Sequence, residues 1–314
     1  MGILIWAIPF FILTMFIEWR LTINHDVKGY ELKDSAASLS MGLGNLGVMF
    51  GIKIGTFALF MWVYQFRAFD LPTNIWWVWM LLIPCEDFCY YWFHRAGHEV
   101  RFFWAAHVNH HSSRTYNLST ALRQSWTAPL FSWLFWLPLP LLGFHPLMIV
   151  VAQSISLLYQ YWLHTELIDR LGPFEFIFNT PSHHRVHHGR NVQYLDRNHG
   201  GIFIVWDRIF GTFQEEIERP DYGLTVNIET YNPVNIAFHE WQAIAHDVRH
   251  AKSWYGRFGA LFCAPGWRED GSGRTSAVLR REWLASEQAS QPESPELTPR
   301  RGSTIVPGSA SKTA

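Results

Sequence analysis

Hydrophobic residues gather into five long runs, Ile3–Ile17, Leu39–Tyr64, Ile75–Phe93, Trp126–Leu142 and Leu147–Leu163. Each run invites a transmembrane reading, because a helix needs roughly 20 apolar residues to cross a bilayer. The first and the last two are short, so an interfacial or re-entrant course is the alternative for them. No basic residue precedes the first run and no small-residue cleavage site follows it, so it is expected to be a retained anchor and not a cleaved signal. From His164 to about Leu284 the pattern turns mixed and globular, with Gly201–Phe213 a strand or short apolar helix too short to span. Beyond Ala285 the chain is rich in Ser, Pro, Glu and Thr and is expected to be disordered.

The expected fold is therefore an all-α integral membrane protein. A bundle of about four to five transmembrane or interfacial helices (about residues 3–163) carries a helical cap (164–284), the two forming one domain over 1–284, with a tail over 285–314. Basic residues set the orientation. Arg20, Lys28 and Lys33 follow run one, Arg95, Arg101, Arg114 and Arg123 follow run three, and Arg170, Arg185 and Arg190 follow run five, while the other connections hold only Arg67 or none. These segments and the cap are placed on the cytoplasmic face, of the endoplasmic reticulum in a eukaryote or the inner membrane in a bacterium.

Composition agrees with a membrane setting. Only 16% of residues are charged, against roughly 25% in soluble proteins, too few to cover a globule of this size. A net charge of −1 argues against a nucleic-acid partner, and three Cys with 49% hydrophobic residues argue against a disulfide scaffold or global disorder. Cys85 and Cys89 read as small core residues.

Sixteen histidines are the unusual feature. Ten fall in four groups: His94 and His98; His107, His110 and His111; His164; and His183, His184, His187 and His188. Side chains three or four apart share a helix face, so each cluster offers two or three imidazoles at once. A lone helix histidine is more often a satisfied hydrogen-bonding residue than a ligand, but repetition of this spacing in one region reverses that weighting. His25, His145, His199, His239, His246 and His250 lack it and read as ordinary. The clusters lie beside the ends of the apolar runs, where ionisable groups suggest a functional site.

Eight or nine imidazoles exceed the four ligands of one zinc ion, so two ions are expected. Imidazole suits Fe, Zn, Cu and Ni alike. With no H-E-x-x-H protease motif and too few Glu-x-x-His motifs for a carboxylate-bridged bundle, a pair of irons in an imidazole cage with an open position for O₂ is the most natural remainder. Asp87, on the helical face of His94, its neighbour Glu86, and Glu99 and Glu166 are candidates to support the ligands, with a pair to Arg95 the competing reading for Glu99. Asp196 and Asn198 are candidates to orient His187 or His188, or simply to form a turn. Arg114, Arg123 and Arg185 are expected to help hold a lipid head group, with plain interfacial anchoring as the alternative. Tyr90, Tyr91, Trp92 and Trp104 are candidates to line a lipid channel.

The order H-x3-H, H-x2-HH, isolated His, H-x2-HH resembles the fatty acid hydroxylase superfamily of membrane di-iron enzymes, the sterol desaturase family. The stretches His107–Ser125, Tyr161–Glu166, Phe178–Asn191, Asn198–Gly201 and Trp206–Phe213 are similar to its alkylglycerol monooxygenase branch. The resemblance implies a monooxygenase that inserts one oxygen atom of O₂ into a C–H bond of a membrane lipid, at the ether carbon of an alkylglycerol in that branch. It implies His94, His98, His107, His110, His111, His164, His184, His187 and His188 as ligands of two Fe ions, Glu99 at an acidic family position, and His183 as auxiliary. Tetrahydrobiopterin, another diffusible reductant or an electron-donor protein would supply electrons, since no redox-cofactor motif is present. A fatty acid or sterol hydroxylase or desaturase is the nearest alternative. A non-catalytic membrane metal-binding or transport protein is the alternative of another class, and would carry polar residues through the membrane helices, which runs one, four and five almost lack.

Overall fold

Residues 2–23 and 29–290 are described by the computed structural model, and among them the secondary structure is helical, with two isolated bridges, Phe178 to Phe203 and Gly189 to Tyr222, and no strand. The first three apolar runs become α1 (Gly2–Thr22), α2 (Leu32–Val63) and α3 (Trp76–Glu99). With a 3-10 extension, α2 forms a continuous helix from Leu32 to Phe66, 35 residues, long and apolar enough to cross a membrane. It starts seven residues before the expected run because Asp34, Ser35 and Ser38 are buried against protein. Among the described residues it is the one such helix; α3 is long but carries charge in its second half.

Run four does not form one helix. It breaks into 3-10 turns at Ala128–Leu130 and Ser132–Trp136 and a five-residue α6 (Pro138–Leu142). Pro129, Pro138 and Pro140 remove backbone donors and fix φ, which prevents a continuous ladder. Run five is α7 (Pro146–Tyr161), started by Pro146 and capped by the His145 ring, which accepts the Leu147 N–H at 3.2 Å. Between α3 and run four lie two single turns, α4 (Arg101–Trp104) and α5 (Val108–His111).

The remaining helices are α8 (Pro181–His188), α9 (Val205–Phe210), α10 (Pro233–His250), α11 (Trp254–Phe262) and α12 (Ser276–Ser290). Asn232 and Ser253 cap α10 and α11 with side-chain oxygens. The segment Gly201–Phe213 contains α9 and a Gly211 turn with φ +72°. Helix α12 runs to Ser290, past the boundary expected at 284; the rest of the expected tail, 291–314, lies outside the described residues, as does His25.

The main core joins Val78, Leu82 and Cys89 of α3 to Leu139 of α6, Met148, Ile149 and Ala152 of α7, and Phe60 of α2. The opposite faces are apolar but uncovered: Leu43, Phe50 and Ile54 on α2, Phe10, Ile12 and Phe16 on α1, and Trp76 and Met80 on α3 are exposed. Large apolar side chains left exposed along three long helices are unsuited to water and suited to lipid.

Candidate metal centre

Four separate pieces of chain deliver the clustered histidines to one place. His94 and His98 lie in the last two turns of α3, His107 precedes α5, His110 and His111 lie in it, His164 follows α7, and the last cluster is α8. Their ligand nitrogens gather in two groups, each within 4.8 Å: His94, His98, His107, His111 and His187 in one, His110, His164, His184 and His188 in the other. The local clusters do not correspond to the groups. Around α5, the N-cap His107 and His111 face one group and His110 the other; on α8, His184 and His188 share a group and His187 joins the other. Adjacent residues differ by about 100° around a helix, so a short helix wedged between two centres serves both.

The hydrogen bonds of the rings define their tautomers. Nδ1–H of His94 donates to the His199 carbonyl at 2.7 Å, that of His164 to Gln160 at 2.9 Å, and that of His187 to Arg197 at 2.8 Å. Each bond leaves a lone pair on Nε2. The Nε2 atoms of His94 and His111 stand 3.0 and 3.1 Å from that of His107, and those of His184 and His110 stand 3.1 and 3.3 Å from that of His164. Metal–nitrogen bonds of about 2.1 Å space neighbouring ligands about 3.0–3.4 Å apart, the same interval. The buried Nε2 atoms of His98, His187 and His188 have no hydrogen-bond partner in the protein, an arrangement that costs about 1–3 kcal/mol per group unless something is bound. Burial, reinforced by the neighbouring imidazoles, pushes His107, His110, His111, His184, His187 and His188 well below the usual histidine range, so these rings are neutral donors at pH 7. The donor set, spacing and unpartnered nitrogens fit two imidazole-bound metal ions.

One loop supports much of this set. Asp196 and Asn198 take left-handed φ values of 53° and 55°, which Asp and Asn tolerate better than most residues, and between them Arg197 offers its carbonyl to His187. Asn198 does not touch His187 or His188 but bonds the carbonyls of His183 and Gln214, while Asp196 approaches His98 Nδ1 at 3.5 Å. Asp87 touches no histidine. Its carboxylate accepts the N–H groups of Ile202 and Phe203 at 2.6 and 2.9 Å and the Trp206 indole at 3.0 Å, anchoring the loop that carries the His94 acceptor. Gly201 is required there, since a Cβ would lie 2.6 Å from Asp87 Oδ1.

Other candidates sit elsewhere. Glu99, 43% exposed, pairs with Arg95 at 2.9 Å and is in neither group. Glu166 accepts Tyr222 and Arg219, and Glu86 accepts the Trp136 indole. His183 is buried against Phe213 with Glu175 at 4.0 Å. The arginines expected to hold a lipid head are engaged with protein: Arg123 is 1% exposed and bonded to Asp34, Arg185 is bidentate with Glu216, and Arg114 pairs with Glu229. Buried guanidinium groups demand a carboxylate, and the chain supplies one from a distant segment in each buried case. Tyr90 lies 5.2 Å from His94 and Trp104 5.3 Å from His98, ring centre to ring centre.

Two residues of this region escaped sequence reasoning. His199, fully buried with its ring 5.0 Å from that of His98, has no i, i+4 partner. Asp207, fully buried, accepts the N–H groups of His199 and Gly200 at 2.7 Å each and the Thr212 hydroxyl at 2.6 Å. The available signal was a lone carboxylate amid the apolar run 202–213.

Comparison with known proteins agrees with this geometry. The chain is 43% identical over 281 residues to the alkylglycerol monooxygenase of Homo sapiens, covering 88% of this chain and 62% of that protein. It is 42% identical over 261 residues to that of Xenopus tropicalis (82% and 56%) and 40% over 266 residues to that of Danio rerio (83% and 59%). The chain spans less than two thirds of the length of these relatives. No solved structure matches it. Residues 79–212, which hold every histidine of both groups, match the family described as fatty acid hydroxylase, and that segment of the chain belongs to it.

Proposed function

We propose that this chain is a membrane di-iron monooxygenase that hydroxylates the ether-bearing carbon of an alkylglycerol lipid, whose product collapses to a fatty aldehyde and a glycerol lipid. The observation that carries the reading is the convergence of nine imidazoles into two groups with buried, unpartnered nitrogens; the 40–43% identity to alkylglycerol monooxygenases supplies the substrate class.

His94, His98, His107, His111 and His187 hold one iron, and His110, His164, His184 and His188 the other. Bound there, the irons supply the redox chemistry demanded by a C–H bond that no side-chain base can deprotonate. The protein's share is to position and to exclude water. Carbonyls 197 and 199 and Gln160 hold the imidazole tautomers, and Asp87 holds the loop that presents two of them. Glu99, paired with Arg95 on the outer surface beside His98, acts on that end of α3 and not as a ligand. Of the nine rings, His107 and His110 alone are not fully buried, so small molecules and the lipid carbon reach the groups from the α5 side, past Tyr90 and Trp104. Exposed apolar faces of α1, α2 and α3 lie in the bilayer, the chain is multi-pass with α6 and its flanking turns re-entrant, and the histidine-bearing cap faces the cytoplasm, where tetrahydrobiopterin or another external donor delivers electrons.

The test is metal analysis of purified protein, joined to mass spectrometry of lipids after incubation with an alkylglycerol, O₂ and tetrahydrobiopterin. About two irons per chain and release of fatty aldehyde, both lost in His187→Ala, are expected. Iron retained without any oxidised lipid, or aldehyde formed equally by His187→Ala, overturns the proposal.

A further inference from the structure

The 199–200 peptide unit is engaged at both ends. Its carbonyl, on His199, accepts Nδ1–H of His94 at 2.7 Å, and its N–H, on Gly200, donates to Asp207 Oδ2 at 2.7 Å. The Asp207 carboxylate, the amide and the imidazole are therefore linked by two hydrogen bonds through one conjugated group. A carboxylate that accepts from an amide N–H shifts electron density toward the amide oxygen, and that oxygen draws more strongly on the next N–H; such chains strengthen each bond. Low local dielectric preserves the effect, since Asp207, His199 and His94 are all at least 98% buried. Asp207 is also acceptor-only here, with two backbone N–H groups and the Thr212 hydroxyl donating to it, as suits an ionised carboxylate. The position is built for this contact: a Cβ on residue 200 would meet the Phe203 carbonyl at 2.4 Å and Asp207 Oδ2 at 3.0 Å.

We infer that Asp207 is a positioning residue which acts on His94 through the 199–200 amide, raising the electron-donating power of His94 Nε2 as a direct carboxylate–histidine pair would. The inference rests on His94 being an iron ligand. It has an internal control. Asp87 is equally buried and holds the same loop, but the peptide carbonyls paired with its two N–H donors, those of Gly201 and Ile202, go to Asn179 and not to a histidine.

The experiment compares iron-loaded, full-length wild type with Asp207→Asn and Asp87→Asn. It measures iron per chain, the rate of iron loss to a ferrous chelator and the reduction midpoint potential. Weaker donation from His94 disfavours ferric iron relative to ferrous, so Asp207→Asn should move the potential in the positive direction and speed iron loss about tenfold, a difference of about 1.4 kcal/mol. Asp87→Asn, which loosens the same loop without touching the 199–200 amide, should move the potential by less than half as much as Asp207→Asn does, and Asp207→Glu should restore it at least in part. Equal behaviour of the two Asn variants, whether both shift or neither does, would reduce Asp207 to a structural anchor and overturn the inference. A wild type that binds no iron would overturn the proposed function and the inference with it, whereas iron-loaded wild type with identical variants sinks the inference alone.

Discussion

Replacing Arg123 with Met should unfold the protein at a markedly lower temperature than replacing Arg123 and Asp34 together. The guanidinium, 1% exposed, donates from Nε to the Asn109 carbonyl at 3.0 Å and Ser112 Oγ at 3.1 Å, and from Nη1 to Asp34 Oδ1 at 3.1 Å. Asp34, near the start of α2, also accepts from Ser113 and Thr115. The cluster thus ties α2 to the segment 109–115, which includes His110 and His111. At 3.1 Å the Coulomb attraction is about 5 kcal/mol for an effective dielectric of about 20, and desolvating the two ions costs a similar amount, so the pair gains little over an apolar pair. Removing one partner is different: it strands a buried charge at about 3–5 kcal/mol. At about 2 °C per kcal/mol, the lower figure for larger domains, Arg123→Met should lower Tm by about 6–10 °C, and Arg123→Met with Asp34→Asn by less than half of that. Thermal unfolding in detergent, followed by tryptophan fluorescence, reads both values. An Arg123→Met variant within about 2 °C of wild type, or a double variant no better than the single, would refute the assignment of a desolvated, mutually dependent pair.

Gly201→Ala should lower iron content, because the new methyl falls 2.6 Å from Asp87 Oδ1 and 2.8 Å from the Tyr90 ring and must displace the loop that orients His94; metal analysis at unchanged expression checks it. Glu18→Ala should cost about 2–6 kcal/mol, since the buried carboxylate accepts the Leu118 N–H, Tyr30 and Thr165, and its loss leaves the two buried donors, the Leu118 N–H and the Thr165 hydroxyl, unpaired at about 1–3 kcal/mol each; Glu18→Gln, which keeps an acceptor oxygen, should retain more of Tm. The stacked pair His246 and His250, 4.2 Å apart on the exposed side of α10, should be dispensable: alanine at both positions leaves iron per chain and aldehyde release unchanged, and a loss of either would assign the pair a role in the centre.

Much of the site was legible because its signal is local. Spacing of three and four residues marks His94 with His98, His107 with His111 and His184 with His188, and no tertiary knowledge is needed to see that each pair shares a helix face. Assignment of rings to two groups was not legible, because the split of His110 from His111 depends on which neighbours flank α5. Arg123 misled for a related reason: a basic residue beside a ligand cluster reads as a head-group contact until Asp34, 89 positions earlier, is brought against it. Asp207 gave a lone carboxylate with no periodicity, and its partners are backbone groups, which sequence does not display. In the fold, the three long helices followed their runs, while the fourth was betrayed by proline positions that hydropathy averages away. Helix α12 passed the expected boundary because Glu282, Leu284, Ala285 and Glu287 favour helix as much as the serines beside them favour disorder.

The splitting of consecutive histidines between the two groups has a mechanical consequence. His110–His111 and His187–His188 each straddle the gap, with ring centres 5.4 Å apart in both pairs. A single turn of backbone therefore acts as a spacer bar, fixed twice over, and neither pocket can widen, tilt or migrate without dragging its twin. The interval between the two groups is thus held by bonded geometry within each pair and changes only if a ring leaves its rotamer.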